Sequence, residues 1–71
     1  MEHYGNLSGD SGVYAYEIGS SYIVVQFNTG ATYRYSYAKA GNYHVEQMKQ
    51  LARRGSGLNS YINRNVKYLY D

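Results

Sequence analysis

The spacing of apolar residues along this chain changes near residue 40, from a period of two to a period of about 3.6. Before that point, residues 13–18, 22–27 and 31–37 alternate between two faces and are rich in β-branched and aromatic side chains. Asn-Thr-Gly at residues 28–30 is typical of a tight hairpin turn, because glycine adopts positive φ without strain. The sequence therefore predicts a meander of three short antiparallel strands.

Two helices are predicted after the meander. The apolar stripe of the first helix is formed by Gly41, Val45, Met48, Leu51 and Ala52. Gly55 is placed to end this helix, and Ser56 to cap the next one. The second helix carries its apolar residues on one side: Leu58, Ile62 and Val66, with Tyr61 beside them. The predicted fold class is α+β, in the order βββαα, with both helices packed on one face of the sheet.

The two ends of the chain lack a clear element. Residues 1–12 are rich in Gly, Ser and Asn and show no period, so we predict a flexible arm there. A single domain then covers residues 13–71. Its last five residues, 67–71, alternate in character and either add a short edge strand or lie on the surface.

Cysteine is absent from the chain, which excludes a disulfide framework and a zinc–thiolate site. This absence fits a reducing cytosol. The N-terminus has neither the charged start nor the apolar run of a signal peptide. The longest apolar run, at residues 22–25, is far too short to cross a membrane. We therefore expect a soluble cytoplasmic protein without a membrane partner.

The residues that enzymes use for chemistry do not form a recognisable group in this sequence. Neither His3 nor His44 has a companion at the spacing of a metal site, and the five carboxylates are scattered. The Gly-x-Ser-x-Gly turn of a hydrolase is absent as well. Gly-Ser-Gly at residues 55–57 is predicted to be a flexible joint that, beside Arg53 and Arg54, offers open N–H groups to an anion. We expect no enzyme activity, no cofactor and no metal.

Tyrosine and charge are distributed in a way that favours a binding function. The chain has eleven tyrosines, no tryptophan and one phenylalanine, and tyrosine is common at binding surfaces. Residues 1–35 carry a net charge of −2, whereas residues 36–71 carry +4. The second half is therefore a weakly basic element, although ordinary solvated helix faces would give the same pattern.

The predicted third strand has a pattern typical of proteins that hold single-stranded nucleic acid. Tyr33 and Tyr35 share one face and could stack with bases, while Arg34 could hold a phosphate. The helices cover one face of the sheet, however, and strand register decides which one. If the two tyrosines lie under the helices, they belong to the core and Arg34 becomes the exposed contact.

The order of these motifs resembles the KTSC domain. The resemblance is carried by Val-Gln-Phe at residues 25–27, Asn-Thr-Gly at 28–30, Tyr-Arg-Tyr at 33–35, and Gly57 followed by Asn63, Val66 and Tyr68. It covers about residues 11–70, and Met48 to Asn63 is similar to the small free-standing members. This family is named for the C-terminal extension of some lysyl-tRNA synthetases and includes small bacterial and phage-borne proteins. The resemblance implies RNA binding.

The leading prediction is a non-catalytic module that binds RNA, or single-stranded nucleic acid more broadly. Its predicted contact residues are Tyr33, Arg34, Tyr35, Arg53, Arg54, Arg64 and Lys67. The alternative is a protein-interaction module, for example a mobile-element protein that inhibits a larger host complex. A monomer or a weak homodimer is expected. Tyrosines and arginines on one exposed face would favour nucleic acid, and an exposed tyrosine patch without cations would favour a protein partner.

Overall fold

The structure is a computed structural model, and it describes residues 1–7 and 12–71. Four antiparallel strands form one sheet in the order β1-β2-β3-β4. Their bounds are β1 (Glu2–His3), β2 (Val13–Ile18), β3 (Tyr22–Phe27) and β4 (Thr32–Ser36). The predicted α+β class is therefore confirmed, and the prediction of three strands is incomplete. β2, β3 and β4 are the three strands that the sequence predicted.

The helices follow the sheet, as predicted, but there are more segments than expected. They are α1 (Tyr37–Ala40), α2 (Asn42–Arg54) and α3 (Leu58–Tyr61), and α3 continues into a π-helical segment, Ile62–Val66. β4 ends at Ser36 rather than at Tyr37, because the Ser36 side chain caps α1 and accepts a hydrogen bond from the Lys39 N–H at 3.3 Å. None of the helices that the structure describes is long and apolar enough to cross a membrane.

Glycine ends α2, as predicted. Gly55 adopts a left-handed conformation with φ 81°, and its N–H donates to the carbonyls of Leu51 and Ala52. The prediction that Ser56 caps the next helix is wrong. Gly57 occupies that position with φ 86°, a backbone geometry that suits a residue without a Cβ. Since glycine has no side chain, no side-chain cap forms.

Residues 2–7, predicted to belong to a flexible arm, lie against the domain. β1 pairs with β2, and the N–H of Tyr4 donates to the carbonyl of Tyr14 at 2.9 Å. Tyr4 is only 6% exposed, and the Leu7 N–H bonds to the Gly55 carbonyl. A strand of two residues is too short to show a period, so no sequence signal marks it. Residues 8–11 of the predicted arm lie outside the described residues.

The register between β3 and β4 decides the face on which the tyrosines lie. Tyr35 pairs with Ile23, and Tyr33 pairs with Val25. These four side chains share the face that packs against α2, so Tyr35 belongs to the core and is 1% exposed. Tyr33 is half-buried. The helical part of this core comprises Val45, Met48, Ala52, Leu58, Ile62 and Val66.

The other face of β3 and β4 carries polar residues. Arg34 and Thr32 are exposed there, beside the half-buried Tyr22 and Gln26. The guanidinium of Arg34 lies 5.9 Å from the centroid of the Tyr22 ring. Arg34 and the tyrosines on either side of it therefore lie on opposite faces of one strand.

Candidate binding groove

A groove of about 440 Å³ lies between the β3–β4 hairpin, the π-helical segment and the C-terminal tail, residues 67–71. The hairpin contributes Phe27 and Tyr33 to its lining, and the tail contributes Lys67, Tyr68 and Tyr70. This volume falls within the range of about 300–1,000 Å³ that is usual for small-ligand sites. The groove is therefore large enough to receive one planar group such as a base.

Packed aromatic rings form the floor of the groove. The ring centroids of Tyr33 and Tyr70 lie 4.6 Å apart, and Phe27 contacts Tyr33 edge-on at 5.9 Å. Tyr70 also meets Tyr35 edge-on at 6.5 Å. Burial, together with the neighbouring Tyr33 and Tyr70, raises the pKa of Tyr35 to about 12. The buried Tyr35 is therefore uncharged at neutral pH, and its ring is held in place by its contacts with the core.

Tyr68 is the aromatic residue of the groove that is most open to solvent. It is 75% exposed, and Lys67 Nζ lies 5.6 Å from the centroid of its ring. A ring in this position has a face that a flat ligand could cover. The cation beside it could meet an anionic group of the same ligand.

Amide side chains border the same groove. Asn59 and Asn63 are one helical turn apart, and both line the groove, as does Asn28 on the hairpin. An amide offers both hydrogen-bond donors and an acceptor, which matches the mixed edge of a nucleobase. The groove thus combines aromatic rings, amides and one lysine.

The C-terminal tail is attached to β4 by its last residue. The Asp71 N–H donates to the Arg34 carbonyl at 2.7 Å. Its carboxylate accepts from Ser36 Oγ at 2.7 Å and from Arg34 Nε at 2.9 Å. The Ser36 hydroxyl, with Arg34, holds the pKa of Asp71 below its ordinary value. Of the two placements left open for the tail, the structure shows the second, because residues 67–71 are exposed and form no strand.

The seven predicted contact residues do not lie on one surface. Tyr33, Tyr35 and Lys67 line the groove. Arg34 lies on the opposite face of β4, where it pairs with Asp71. Arg53 lines a separate cavity, together with Glu2, Tyr16 and Glu17. Arg54 donates a hydrogen bond to the Ser56 carbonyl, and Arg64 is exposed on the π-helical segment.

The joint at residues 55–57 differs from the predicted anion site. The Gly55 N–H donates to the carbonyls of Leu51 and Ala52. The N–H of Leu58, directly after the joint, donates to the phenol oxygen of Tyr4 at 3.2 Å. Tyr4 lies beside Leu58 because the pairing of β1 with β2 attaches the N-terminal segment to the sheet. This pairing was not predicted from the sequence. The prediction of open N–H groups is therefore wrong at Gly55.

Several groove residues were not predicted as contacts, namely Tyr68, Tyr70, Asn59 and Asn63. The signal available for the two tyrosines was the alternation of Lys-Tyr-Leu-Tyr at residues 67–70, which fits a segment with one face against a strand. No comparable signal marks the asparagines, because exposed amides are common on any helix.

No histidine or carboxylate among the described residues lines this groove. His44 Nδ1 lies 2.7 Å from the phenol oxygen of Tyr61, and burial raises the pKa of that tyrosine. No group of three potential metal ligands occurs among residues 1–7 and 12–71. His44 itself is half-buried, and its ring packs edge-on against the ring of Tyr61.

Comparisons with family models, with curated proteins and with solved structures find no match to this chain, so the resemblance to the KTSC domain stays a prediction.

Proposed function

We propose that this chain is a binding module that holds unpaired bases of single-stranded RNA in the groove beside the C-terminal tail. The observation that carries the proposal is the joint presence of exposed Tyr68, the ring pair Tyr33 and Tyr70, and Lys67 around one cavity. Single-stranded RNA is commonly held by stacking on aromatic rings and by cations near its backbone.

The rings supply most of the proposed interaction. A base that stacks on an aromatic side chain contributes about 1–3 kcal/mol. Tyr33 and Tyr70 are already in contact with each other at 4.6 Å, so a base stacks against this pair or on Tyr68 rather than between the two rings. The expected footprint is therefore one or two nucleotides.

Electrostatic attraction plays a smaller part in the proposal. Arg34 is engaged with Asp71 on the opposite face, and Arg53 lies in the separate cavity. Of the predicted cations, Lys67 is the one among the lining residues of the groove, which supports its part in the proposal. Each neutralised phosphate gives a slope of about −0.7 in a plot of log K against log salt for single strands, so one or two contacts give a shallow dependence.

An NMR titration of the labelled protein with a short mixed-sequence single-stranded RNA tests the proposal. We expect shift changes at Tyr33, Tyr68 and Tyr70, and Tyr68→Ala should weaken binding about 5–150-fold, which corresponds to the loss of one stacked base. Tyr43→Ala is the matched control, because Tyr43 lies on α2 and is 67% exposed. Equal effects of the two variants, or no shift changes at low salt, would show that the groove is not an RNA-binding site.

A protein partner is the second candidate, and one observation favours it. The groove is lined by several aromatic rings and by one of the predicted cations, Lys67. Such a lining also suits an apolar side chain of a partner protein. Substituting Lys67 by Gln separates the candidates. An RNA ligand loses affinity and part of its salt dependence, whereas a partner held by apolar contact keeps both.

A further inference from the structure

We propose that Arg34 is a positioning residue of the groove, which acts through Asp71 to hold the C-terminal tail in place and does not itself contact the ligand. This inference rests on the proposed function of the groove. It replaces the role in phosphate binding that the Tyr-Arg-Tyr sequence predicted for Arg34.

The geometry separates Arg34 from the groove. Its side chain projects from the face of β4 opposite to Tyr33 and Tyr35, since neighbouring residues of a strand alternate. Its guanidinium is occupied on two sides, by the Asp71 carboxylate at 2.9 Å and by the Tyr22 ring at 5.9 Å. A phosphate in the groove would have to reach around the edge of the sheet to meet it.

Asp71 joins the tail to this face of the strand. It uses three groups on β4, which are the Arg34 carbonyl, the Arg34 guanidinium and the Ser36 hydroxyl. The other end of the tail follows Val66, which is fully buried, and the Leu69 N–H donates to the Val66 carbonyl. The tail is therefore fixed at its two ends, and Tyr68 and Tyr70 lie between them.

The position of the tail determines whether the groove is complete. Tyr70 packs over Tyr33 and Tyr35, and Tyr68 and Lys67 form part of the lining. If Asp71 leaves β4, the neighbouring Tyr70 is no longer held over Tyr33 and Tyr35, and this side of the groove opens. The apparent affinity then falls in proportion to the fraction of molecules with the tail in place.

The Arg34–Asp71 ion pair alone would not hold the tail firmly. The two side chains are 59% and 26% exposed, and exposed ion pairs contribute little. Here the same carboxylate also accepts the Ser36 hydroxyl, and the backbone of Asp71 is bonded to the strand. Removing the charge of either partner should therefore loosen the tail without unfolding the domain.

Neutral substitutions distinguish positioning from direct contact. Arg34→Gln and Asp71→Asn should each weaken the binding of the same single-stranded RNA by up to about fivefold, which is the largest effect expected from the loss of one exposed ion pair that helps to hold the tail. Asp71→Asn makes the protein more positive, so direct contact through Arg34 predicts equal or tighter binding of RNA by this variant. Tighter or unchanged binding by Asp71→Asn would overturn the inference.

A charge exchange provides the rescue. Arg34→Asp and Asp71→Arg should each weaken binding, and the double variant should recover most of the affinity because the pair is restored with its direction reversed. A double variant as weak as Arg34→Asp would contradict positioning, since it would show that a cation is needed at residue 34. Thermal unfolding of each variant confirms that the domain remains folded.

The contact between the Tyr33 and Tyr70 rings reports on the tail without any ligand. A nuclear Overhauser effect between these rings should be present in the native protein, weaken in Arg34→Gln and return in the charge exchange. If the native protein binds no RNA, the proposed function fails and this measurement still decides the positioning role. A signal of unchanged strength in Arg34→Gln would overturn that role.

Discussion

The phenol oxygen of Tyr4 lies 3.2 Å from the backbone nitrogen of Leu58 and accepts its hydrogen bond. Leu58 is the first residue of α3 and is fully buried, and no side chain from the Gly55-Ser56-Gly57 joint caps this helix. A residue near the start of the chain therefore satisfies an N–H group that lies 54 residues later.

Tyr4→Phe should destabilise the domain by about 1–3 kcal/mol, because it leaves the buried Leu58 N–H without its acceptor. The ring itself stays in the core, so little packing is lost. Chemical denaturation measures the change. Tyr14→Phe is the matched control, since Tyr14 is about half exposed and should change stability little. Equal losses in both variants would show that the hydrogen bond is not the cause.

The sequence predicted those elements of the fold in which apolar residues recur at a regular spacing. β2, β3, β4 and the row formed by Leu58, Ile62 and Val66 agree with it. In the predicted stripe of α2, Val45, Met48 and Ala52 are buried, whereas Gly41 precedes the helix and Leu51 is half-buried. Their positions follow from local geometry alone, because alternation marks a strand and a spacing of three or four marks a helix.

The features that the sequence missed depend on contacts between distant residues. Lys49 is buried, and its Nζ donates to the Ser20 carbonyl at 3.1 Å and to Glu46 at 2.8 Å, which ties α2 to the turn between β2 and β3. A lysine on a helix gives no sign of such a partner. The face of the sheet on which Tyr33 and Tyr35 lie likewise depends on a distant contact, namely the register between β4 and its paired strand β3.

The attachment of the tail should depend on pH in the acid range. The pKa of Asp71 is lowered in the folded protein, so its stabilising contacts are complete above its ordinary value of 3.8 and are lost as pH falls through the lower folded value. The contact between the Tyr33 and Tyr70 rings should weaken over that interval. In Asp71→Asn the contact should be weaker than in the native protein at neutral pH and should show no step in the acid range. A step of equal size in this variant would assign the change to another carboxylate.

Tyr35 should make the domain sensitive to alkali. Its pKa is raised from 10.0 to about 12, chiefly by burial, so the folded state favours the neutral phenol. The stabilisation is complete below pH 10 and is lost as pH rises from 10 towards 12. Urea denaturation at pH 8 and pH 11 should show a smaller alkaline loss of stability for Tyr35→Phe than for the native protein. Tyr43→Phe, at an exposed site on α2, should lose as much as the native protein.

Lys67 should account for a measurable share of the salt dependence of RNA binding. It lines the groove and lies beside Tyr68, which places its charge where the backbone of a stacked nucleotide would run. In Lys67→Gln, the slope of log K against log salt should move towards zero by about 0.7, the contribution of one phosphate of a single strand. Lys39→Gln is the matched control, because Lys39 is exposed on α1 and the charge change is the same. If both variants lower the slope equally, the salt dependence arises from the net charge of the protein, and a phosphate contact at Lys67 is excluded.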